Sequence, residues 1–314
     1  MGTLITASSL ARSFGGSSIE HASSAGLACL EKAGMSAADI DVLVNVGIYR
    51  DSNIVEPSIA ALIQKRIGIN RDYLNSPDRR AAFSFDLMNG ACGMLNAVQA
   101  AGALLETGSA RRVLIVSGDT HPSTDLSKAA TSSFPYASTG AALLLEHGES
   151  AVGFGRIHHR TRQGSHGVNG YLPLRAAGSA GRSTIVVDRD HDVLDRMLDL
   201  AVDSVHGLVA AEDGVTRDAV AAALRRTLLI TSQPSPDFTA RLAGRLGLPE
   251  GAAVTVRGVE GDPHTSALVH GYQQARHYGR LAGRDRILFL TVGAGLSSAA
   301  ALYRIAPAEL EPAA

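Results

Sequence analysis

Cys92 is one of two cysteines in the 314-residue sequence and the one best placed for covalent chemistry. It stands in the run Asn-Gly-Ala-Cys-Gly, after a β-type segment and at the start of a helical pattern. The partial positive charge and free N–H groups of a helix N-terminus favour a thiolate, and the flanking glycines leave room for a ligand. These features predict an exposed thiolate nucleophile. The alternative is a buried cysteine that packs as a small hydrophobic residue, which is our interpretation of Cys29.

The place where a strand leads into a helix, as at Cys92, is called a corner here. A second corner occurs in the C-terminal part of the chain, in Glu-Gly-Asp262-Pro-His264. Both corners follow a strand pattern and precede a helix pattern, and such positions gather at the ligand-binding edge of α/β folds. We therefore expect the two corners to meet at one site, where Asp262 and His264 could act as an acid–base pair. The alternative for His264 is an ordinary loop histidine.

The elements that position these corners repeat along the chain. The order strand, helix, strand, helix, strand occurs twice, over about 70 residues each time. Strands are predicted at residues 41–48, 82–86, 112–117, 140–145, 226–231, 253–256 and 286–291, and helices at residues 58–68, 93–106, 237–247 and 265–282. This repeat predicts two similar α/β halves, at residues 1–150 and 191–314, joined by a connection with insertions at residues 151–190.

Composition places the chain among ordinary globular proteins. Hydrophobic residues make up 45% and charged residues 19%, and the formal net charge is -1. The absence of a P-loop, a dinucleotide fingerprint and a basic aromatic stripe excludes kinase, dehydrogenase and nucleic-acid-binding functions. The spacing of histidine and cysteine predicts no metal site. No apolar run long enough for a membrane span occurs, and two cysteines are too few for a disulfide framework, so we expect a cytoplasmic protein.

Three segments of the sequence resemble those of a known family. FSFDLMNGACGMLNAVQAAGALLETGSARRVLIVSGD resembles the nucleophile segment of the ketosynthase III enzymes of the thiolase superfamily, and STGAALLLE and RILFLTVGAGLSSAAAL resemble two of its other segments. The resemblance implies a duplicated, five-layered αβαβα thiolase fold, normally dimeric, and acyl transfer through Cys92. It implies an oxyanion hole made by the backbone N–H groups of Cys92 and Gly295. It implies no permanently bound cofactor, with thioesters of coenzyme A or acyl carrier protein as substrates.

Two positions depart from the family's pattern. The family's histidine, in H-Q-A-N, falls on Ser232, and its G-N-T-S-A segment reads Gly-Asp-Pro-His-Thr-Ser-Ala here, which puts Asp262 at the asparagine position. The usual Cys-His-Asn set is therefore incomplete, and His264 is the residue that could substitute. The Trp-containing N-terminal stretch that helps to hold coenzyme A in the family is also missing, since the chain has no tryptophan.

Glu56 stands just before Pro-Ser in the loop after the strand at residues 41–48. In ketosynthase III dimers the residue at this place lines the partner's acyl channel and is usually apolar. The patterns R-D-x-x-x-x-E-P and N-x-A-C-x-x-L-N resemble the OleA-type condensing enzymes and the heterodimeric enzymes of lipstatin-type β-lactone pathways. That resemblance implies that Glu56 acts in trans as the base that removes an α-proton during a non-decarboxylative Claisen condensation. The alternative is a surface glutamate that interacts with a helix dipole.

The sequence leaves three functions open. In the first, the chain joins two fatty acyl thioesters to a β-keto product together with a paralogous ketosynthase III partner, to which it donates Glu56. In the second, the chain acts alone or as a homodimer, and Cys92 passes an acyl group to an alcohol or amine with help from Asp262 and His264. In the third, it is a non-catalytic scaffold subunit.

Overall fold

Strands and helices alternate along the chain, as the hydrophobic periodicity predicts. The computed structural model describes residues 2–12, 16–53, 56–70, 81–121, 134–148, 152–163, 167–171 and 185–306. The first half contains β1 (Gly2–Leu10), α1 (Ser18–Ala33), β2 (Val42–Asn45), α2 (Ile59–Ile67), β3 (Phe83–Asp86), α3 (Gly93–Glu106), β4 (Arg112–Asp119) and β5 (Thr139–Gly148). The connection contains β6 (Gly153–Phe154), β7 (His158–Thr161), β8 (Val168–Tyr171) and β9 (Val186–Arg189). The second half contains α4 (Val193–Asp213), α5 (Val220–Ala223), β10 (Thr227–Thr231), α6 (Phe238–Arg245), β11 (Ala253–Val254), α7 (Ala267–His277), β12 (Arg286–Gly293) and β13 (Ser297–Arg304).

Helix α1 shows how the sequence sets the limits of an element. Its N-cap Ser17 accepts a hydrogen bond from the backbone N–H of Glu20, and the Glu20 carboxylate accepts one from the backbone N–H of Ser17. This reciprocal capping satisfies two N–H groups that have no partner inside the helix. The helix ends at Gly34, whose φ of 64° suits a residue without a Cβ atom.

The described strands form one eleven-stranded sheet and a separate β8–β9 hairpin. In the first half the strand order is β3-β2-β4-β5-β1, and in the second it is β11-β10-β12-β13 with β7 paired to β13. In each half the first three strands of this order are parallel and the fourth is antiparallel. The strand order of the first half is therefore repeated in the second, and β6 joins them by pairing with both β1 and β13. The exact domain boundaries at residues 150 and 190 stay a prediction.

The hydrophobic core divides into three clusters that define the layers. One cluster lies between the two halves of the sheet and contains the apolar faces of α3 and α7. A second packs α1 and α2 on the outer face of the first half, and a third packs α4 and α6 on the outer face of the second. The order is thus helix, sheet, helix, sheet, helix. This arrangement confirms the predicted α/β thiolase fold, and it buries the starts of α3 and α7 at the centre of the molecule.

Gly118 lets β4 pass closely under α1. A Cβ atom at this position would lie 2.0 Å from the carbonyl oxygen of Ser18 and 2.9 Å from the backbone nitrogen of Ala22. No side chain fits at such distances, so the close approach requires glycine. The next residue, Asp119, ends β4 and reaches the centre of the molecule, where the candidate site lies.

Candidate active site

Cys92 caps the N-terminus of α3, as predicted, but its side chain is only 2% exposed. The Sγ atom lies 3.5 Å from the carbonyl oxygen of Ser297 and 3.9 Å from that of Thr291, and the thiol donates to these acceptors. Burial raises the pKa of the Cys92 thiol to about 11, which outweighs the opposing effect of its hydrogen bonds. The prediction of an exposed thiolate is therefore wrong for this structure, because desolvation exceeds the influence of the helix N-terminus.

The two groups expected to form the oxyanion hole lie in different local surroundings. The backbone N–H of Cys92 donates to the carbonyl oxygen of Asn89 at 3.0 Å, so it is already occupied. Gly295 has a left-handed conformation with φ 69°, and a Cβ atom there would meet nothing within 4 Å. A Cβ atom at Gly293 would lie 3.8 Å from the Sγ atom of Cys92. The glycine-rich turn after β12 thus borders the sulfur, but Cys92 must release Asn89 before its N–H can bind an oxyanion.

Ser232 follows β10 and is 2% exposed. Its hydroxyl accepts a hydrogen bond from the backbone N–H of Val292 at 3.0 Å and lies 3.4 Å from the carbonyl oxygen of the same residue. The family's histidine position is thus filled by a hydroxyl that binds the neighbouring strand β12. Ser232 has no titratable group near neutral pH, so it cannot act as the missing base.

His264 lies beside the carboxylate of Asp119. Its Nδ1 atom is 3.5 Å from Oδ2 of Asp119, and both side chains are buried. The backbone of His264 has a φ of 45°, which costs energy for a residue with a Cβ atom. The ring contacts Tyr136 and Tyr49, with centroid distances of 4.8 Å and 5.2 Å. A Cβ atom at Gly90 would lie 3.8 Å from Nε2 of His264, so the two predicted corners do meet.

Asp119 is fully buried and held by several donors. Its Oδ1 accepts from the backbone N–H groups of Ile48 and Tyr49, both at 2.8 Å, and its Oδ2 accepts from the hydroxyl of Thr265 at 2.5 Å. Although burial alone would raise the pKa of Asp119, the nearby imidazole of His264, with the hydroxyl of Thr265 and the backbone N–H of Tyr49, lowers it overall. Burial alone would likewise lower the pKa of His264, but Asp119 raises it. We conclude that the two side chains stabilise each other's charged forms.

Asp262 contacts the backbone of His264 rather than its imidazole ring. Its carboxylate accepts a hydrogen bond from the backbone N–H of His264 at 2.8 Å, so it shapes the loop, and the imidazole pairs with Asp119 instead. Burial raises the pKa of Asp262. The helical turn that leads into α7 starts at His264, directly before Thr265. Asp262, which the sequence pattern puts at the family's asparagine position, lies two residues before this helix start. The two residues before His264 extend the loop.

These residues border a cavity of about 280 Å³. Its polar side is formed by Tyr49, Tyr136, Arg189, Asp262 and His264, and Ser232 also lines it. The guanidinium carbon of Arg189 is 4.9 Å from the centre of the Tyr136 ring. Ala91 and Gly293, which adjoin Cys92, form part of the wall. The cavity therefore reaches the residues next to the sulfur, while the sulfur itself stays buried behind them.

Glu56 is exposed and does not line this cavity. Hydrogen bonds hold described residues on both sides of Glu56. Asp51 accepts hydrogen bonds from the backbone N–H and hydroxyl of Ser18, at 2.7 Å and 2.9 Å. On the other side, the hydroxyl of Ser58 donates to the Asp86 carboxylate at 3.1 Å, and the same carboxylate caps α2. Asp86 ends β3, so Glu56 lies close to the end of this edge strand.

Sequence reasoning missed four residues of the site, namely Asp119, Tyr49, Tyr136 and Arg189. Asp119 ends a predicted strand beside a glycine, which is a signal for a polar group at the active edge of a sheet. The other three carry no local pattern that separates them from surface residues. Within the described ranges, no three His, Cys, Asp or Glu side chains are grouped as metal ligands, and no helix is both long and apolar enough to cross a bilayer.

Comparison with known proteins gives consistent results. The family model for 3-oxoacyl-[acyl-carrier-protein] synthase III matches residues 85–162. The β-ketoacyl-[acyl-carrier-protein] synthase III of Koribacter versatilis is 24% identical over 288 residues, which is 88% of this chain and 80% of the relative. The structure of the same enzyme from Thermus thermophilus aligns with a TM-score of 0.74 at 21% identity, covering 94% of this chain and 87% of that one. Xanthomonas campestris OleA, solved with bound lauric acid and lauroyl-CoA, aligns with a TM-score of 0.73 at 17% identity, covering 97% and 99%. At these identities the structural matches establish the fold.

Proposed function

We infer, from the premise that this chain is a ketosynthase III homologue with the thiolase-superfamily fold, that it acts on acyl thioesters as one subunit of a condensing enzyme. We propose that two fatty acyl groups, delivered by coenzyme A or acyl carrier protein, are joined by a non-decarboxylative Claisen condensation. A paralogous ketosynthase III subunit would hold the acyl-enzyme, and Glu56 of this chain would enter its site. The expected location is the cytoplasm.

This proposal rests on the position of Glu56, which is exposed and does not line the cavity of this chain. Condensation without loss of CO₂ needs a base that removes a proton from the carbon next to the thioester carbonyl. In this chain's own site the family histidine is replaced by Ser232, and the Cys92 thiol is buried with a raised pKa. A chain that keeps an exposed carboxylate beside an anchored helix start, while its own nucleophile is buried, fits a subunit that supplies a base to another chain.

The edge strand β3 supports a partner on this side of the molecule. Phe83 at its start is 62% exposed and Met88, just after its end, is 52% exposed. Large apolar side chains at a sheet edge are typical of surfaces that another chain covers. Because the segment after Glu56 is bound to Asp86 at the end of β3, a partner that covers this edge would also cover Glu56.

The pairing of His264 with Asp119 favours a second candidate, acyl transfer by this chain alone. In that reaction neutral His264, the form that prevails above its raised pKa, takes the proton of the Cys92 thiol, the sulfur adds to the thioester carbonyl, and the carrier thiolate leaves and takes the proton from His264. A second exchange would pass the acyl group from Cys92 to an alcohol or amine. The first step requires Cys92 to leave its hydrogen bonds to Ser297 and Thr291.

Glu56→Gln tests the first candidate in the complex reconstituted with the paralogous partner. We expect β-keto product formation to fall by about 10²-fold or more, because a positioned base contributes that much to proton abstraction. Partner acylation, measured by intact-protein mass spectrometry, and assembly, measured by native mass spectrometry, should not change. Glu250→Gln, at another exposed glutamate, is the matched control. Full product formation by Glu56→Gln would remove Glu56 from the mechanism and leave a scaffold role or the second candidate.

A further inference from the structure

Arg189 ends β9 and is exposed at the border of the cavity. Its guanidinium packs on the ring of Tyr136, whose centroid is 4.5 Å from that of Tyr49. Stacking on an aromatic face orients the planar guanidinium before any ligand arrives. The side chain is therefore a preorganised donor at the rim of the cavity.

No carboxylate oxygen of the described residues lies within 4.0 Å of the nitrogen atoms of this guanidinium. The ion pairs of the described part of the chain, at N–O distances up to 4.0 Å, do not include Arg189. The charged groups that share the cavity are Asp262 and His264, with Asp119 behind the latter. His264 and Asp119 balance each other, and the Asp262 carboxylate accepts a hydrogen bond from the backbone N–H of His264. Arg189 is thus a permanent cation at the cavity whose N–H groups form no ion pair with a carboxylate of the described residues.

The opposite wall of the cavity is apolar. It includes Val193, Leu194 and Met197 from the first turns of α4, together with Val168 in β8 and Ile185 just before β9. A ligand that fills the space must present hydrocarbon to this wall and a negative charge to Arg189.

We propose that this chain's own cavity binds a short aliphatic chain that ends in an oxyanion, such as a carboxylate, with Arg189 as the charged anchor and the start of α4 as the apolar wall. This site is separate from the donation of Glu56 to a partner. The oxyanion could belong to a carboxylate on an acyl group or to a phosphate of the thioester carrier. Both would accept two parallel N–H bonds from the guanidinium, and the apolar wall selects the carboxylate source.

The test uses the full-length chain without a partner, so its result does not depend on the role of Glu56. Ligand-observed NMR titrations would give dissociation constants for hexanoate, for its uncharged counterpart hexanamide, for butyrate and for inorganic phosphate. We expect hexanoate to bind at least about tenfold more tightly than hexanamide, since the charge-assisted bonds to Arg189 are lost with the amide. Hexanoate should also bind more tightly than butyrate, because the longer chain covers more of the apolar wall.

Arg189→Gln should abolish the preference for hexanoate over hexanamide, and Arg189→Lys should keep part of it. The matched control is Arg217→Gln, at an exposed arginine outside the cavity. This variant should have the same dissociation constants for hexanoate and hexanamide as the chain without a substitution. Arg189 is exposed, so circular dichroism should show an unchanged fold in its variants. Equal binding of hexanoate and hexanamide, or an unchanged preference in Arg189→Gln, would overturn the proposal. If phosphate has a dissociation constant as low as that of hexanoate, and hexanoate and butyrate bind equally, the ligand is not an aliphatic carboxylate. The site would then bind a phosphate of the thioester carrier.

Discussion

Replacing Asp119 by asparagine should destabilise the fold in a pH-dependent way. The substitution keeps the shape of the side chain but removes a fully buried charge that faces His264 at 3.5 Å. Asparagine can still accept from the backbone N–H groups of Ile48 and Tyr49 through its amide oxygen. Its NH₂ group would then face Thr265 and His264, where the carboxylate had accepted one hydrogen bond and balanced one charge.

The size of the effect follows from this geometry. Two unit charges 3.5 Å apart interact by about 5 kcal/mol at an effective dielectric constant of about 20. Part of this energy is offset by the cost of burying both charges, and removal of one partner from a buried pair costs about 3–5 kcal/mol. We therefore expect Asp119→Asn to lower the free energy of unfolding by about 3 kcal/mol at the pH where both groups are charged.

The pH dependence gives the more specific test. The pKa of His264 is raised on folding, so its contribution is complete below about pH 6.5 and is lost as pH rises through the folded value. The pKa of Asp119 is lowered, so its contribution is present above about pH 4 and is lost as pH falls through the folded value. The stability difference between the unchanged chain and Asp119→Asn should be widest between these limits and should narrow in alkaline solution.

Urea denaturation followed by circular dichroism at pH 5.5 and pH 9 would measure this difference. Asp199→Asn, which breaks an exposed ion pair with Arg245, is the control and should change stability by at most about 1 kcal/mol. The loss of unfolding free energy caused by Asp119→Asn could be the same at both pH values, or no larger than the loss in the control. Either result would refute the pairing of Asp119 with His264 as two charged groups.

Two further predictions concern the nucleophile. Alkylation of Cys92 by iodoacetamide, followed by intact-protein mass spectrometry, should be slow at neutral pH and should become faster as the pH approaches the thiol pKa of about 11. The adduct should be missing in Cys92→Ala, and rapid reaction of Cys92 at pH 7 would contradict the buried thiol. Ser232→His should raise acylation by acyl-CoA by about 10²-fold over Ser232→Ala if the new imidazole reaches the sulfur; equal rates in the two folded variants would mean that the geometry around Ser232 no longer supports a base.

Much of the fold is predictable from local pattern. The alternation of strands and helices, the helix that starts at Gly93 and the burial of Cys29 all follow from periodicity and from stop signals at glycine. The predicted helix at residues 265–282 ends at His277 instead, because Gly279 and Gly283 take positive φ values. Local signals of this kind set the elements within a few residues.

The site is less predictable because its decisive contacts are long-range. His264 was recognised as a candidate, but its partner Asp119 lies far away in the sequence, and no spacing rule connects them. The burial of Cys92 depends on carbonyl groups of Thr291 and Ser297, which the helix-start argument could not include. Sequence pattern thus found the residues at the two corners, while their partners and their protonation depend on how the halves pack.

The contacts between the halves also bear on the order in which the chain folds. Thr265 binds Asp119 across 146 positions, and the hydroxyls of Ser117 and Ser266 meet at 2.7 Å across 149 positions. The entropy of closing such long loops must be overcome before these bonds form, so local strand–helix units are expected to form earlier. During synthesis the N-terminal repeat emerges first, with the Asp119 carboxylate still in water. Docking of the second repeat then adds Thr265 and His264 to the partners of this charge, so a chain in which the repeats fail to dock leaves the Asp119 carboxylate without its cationic partner.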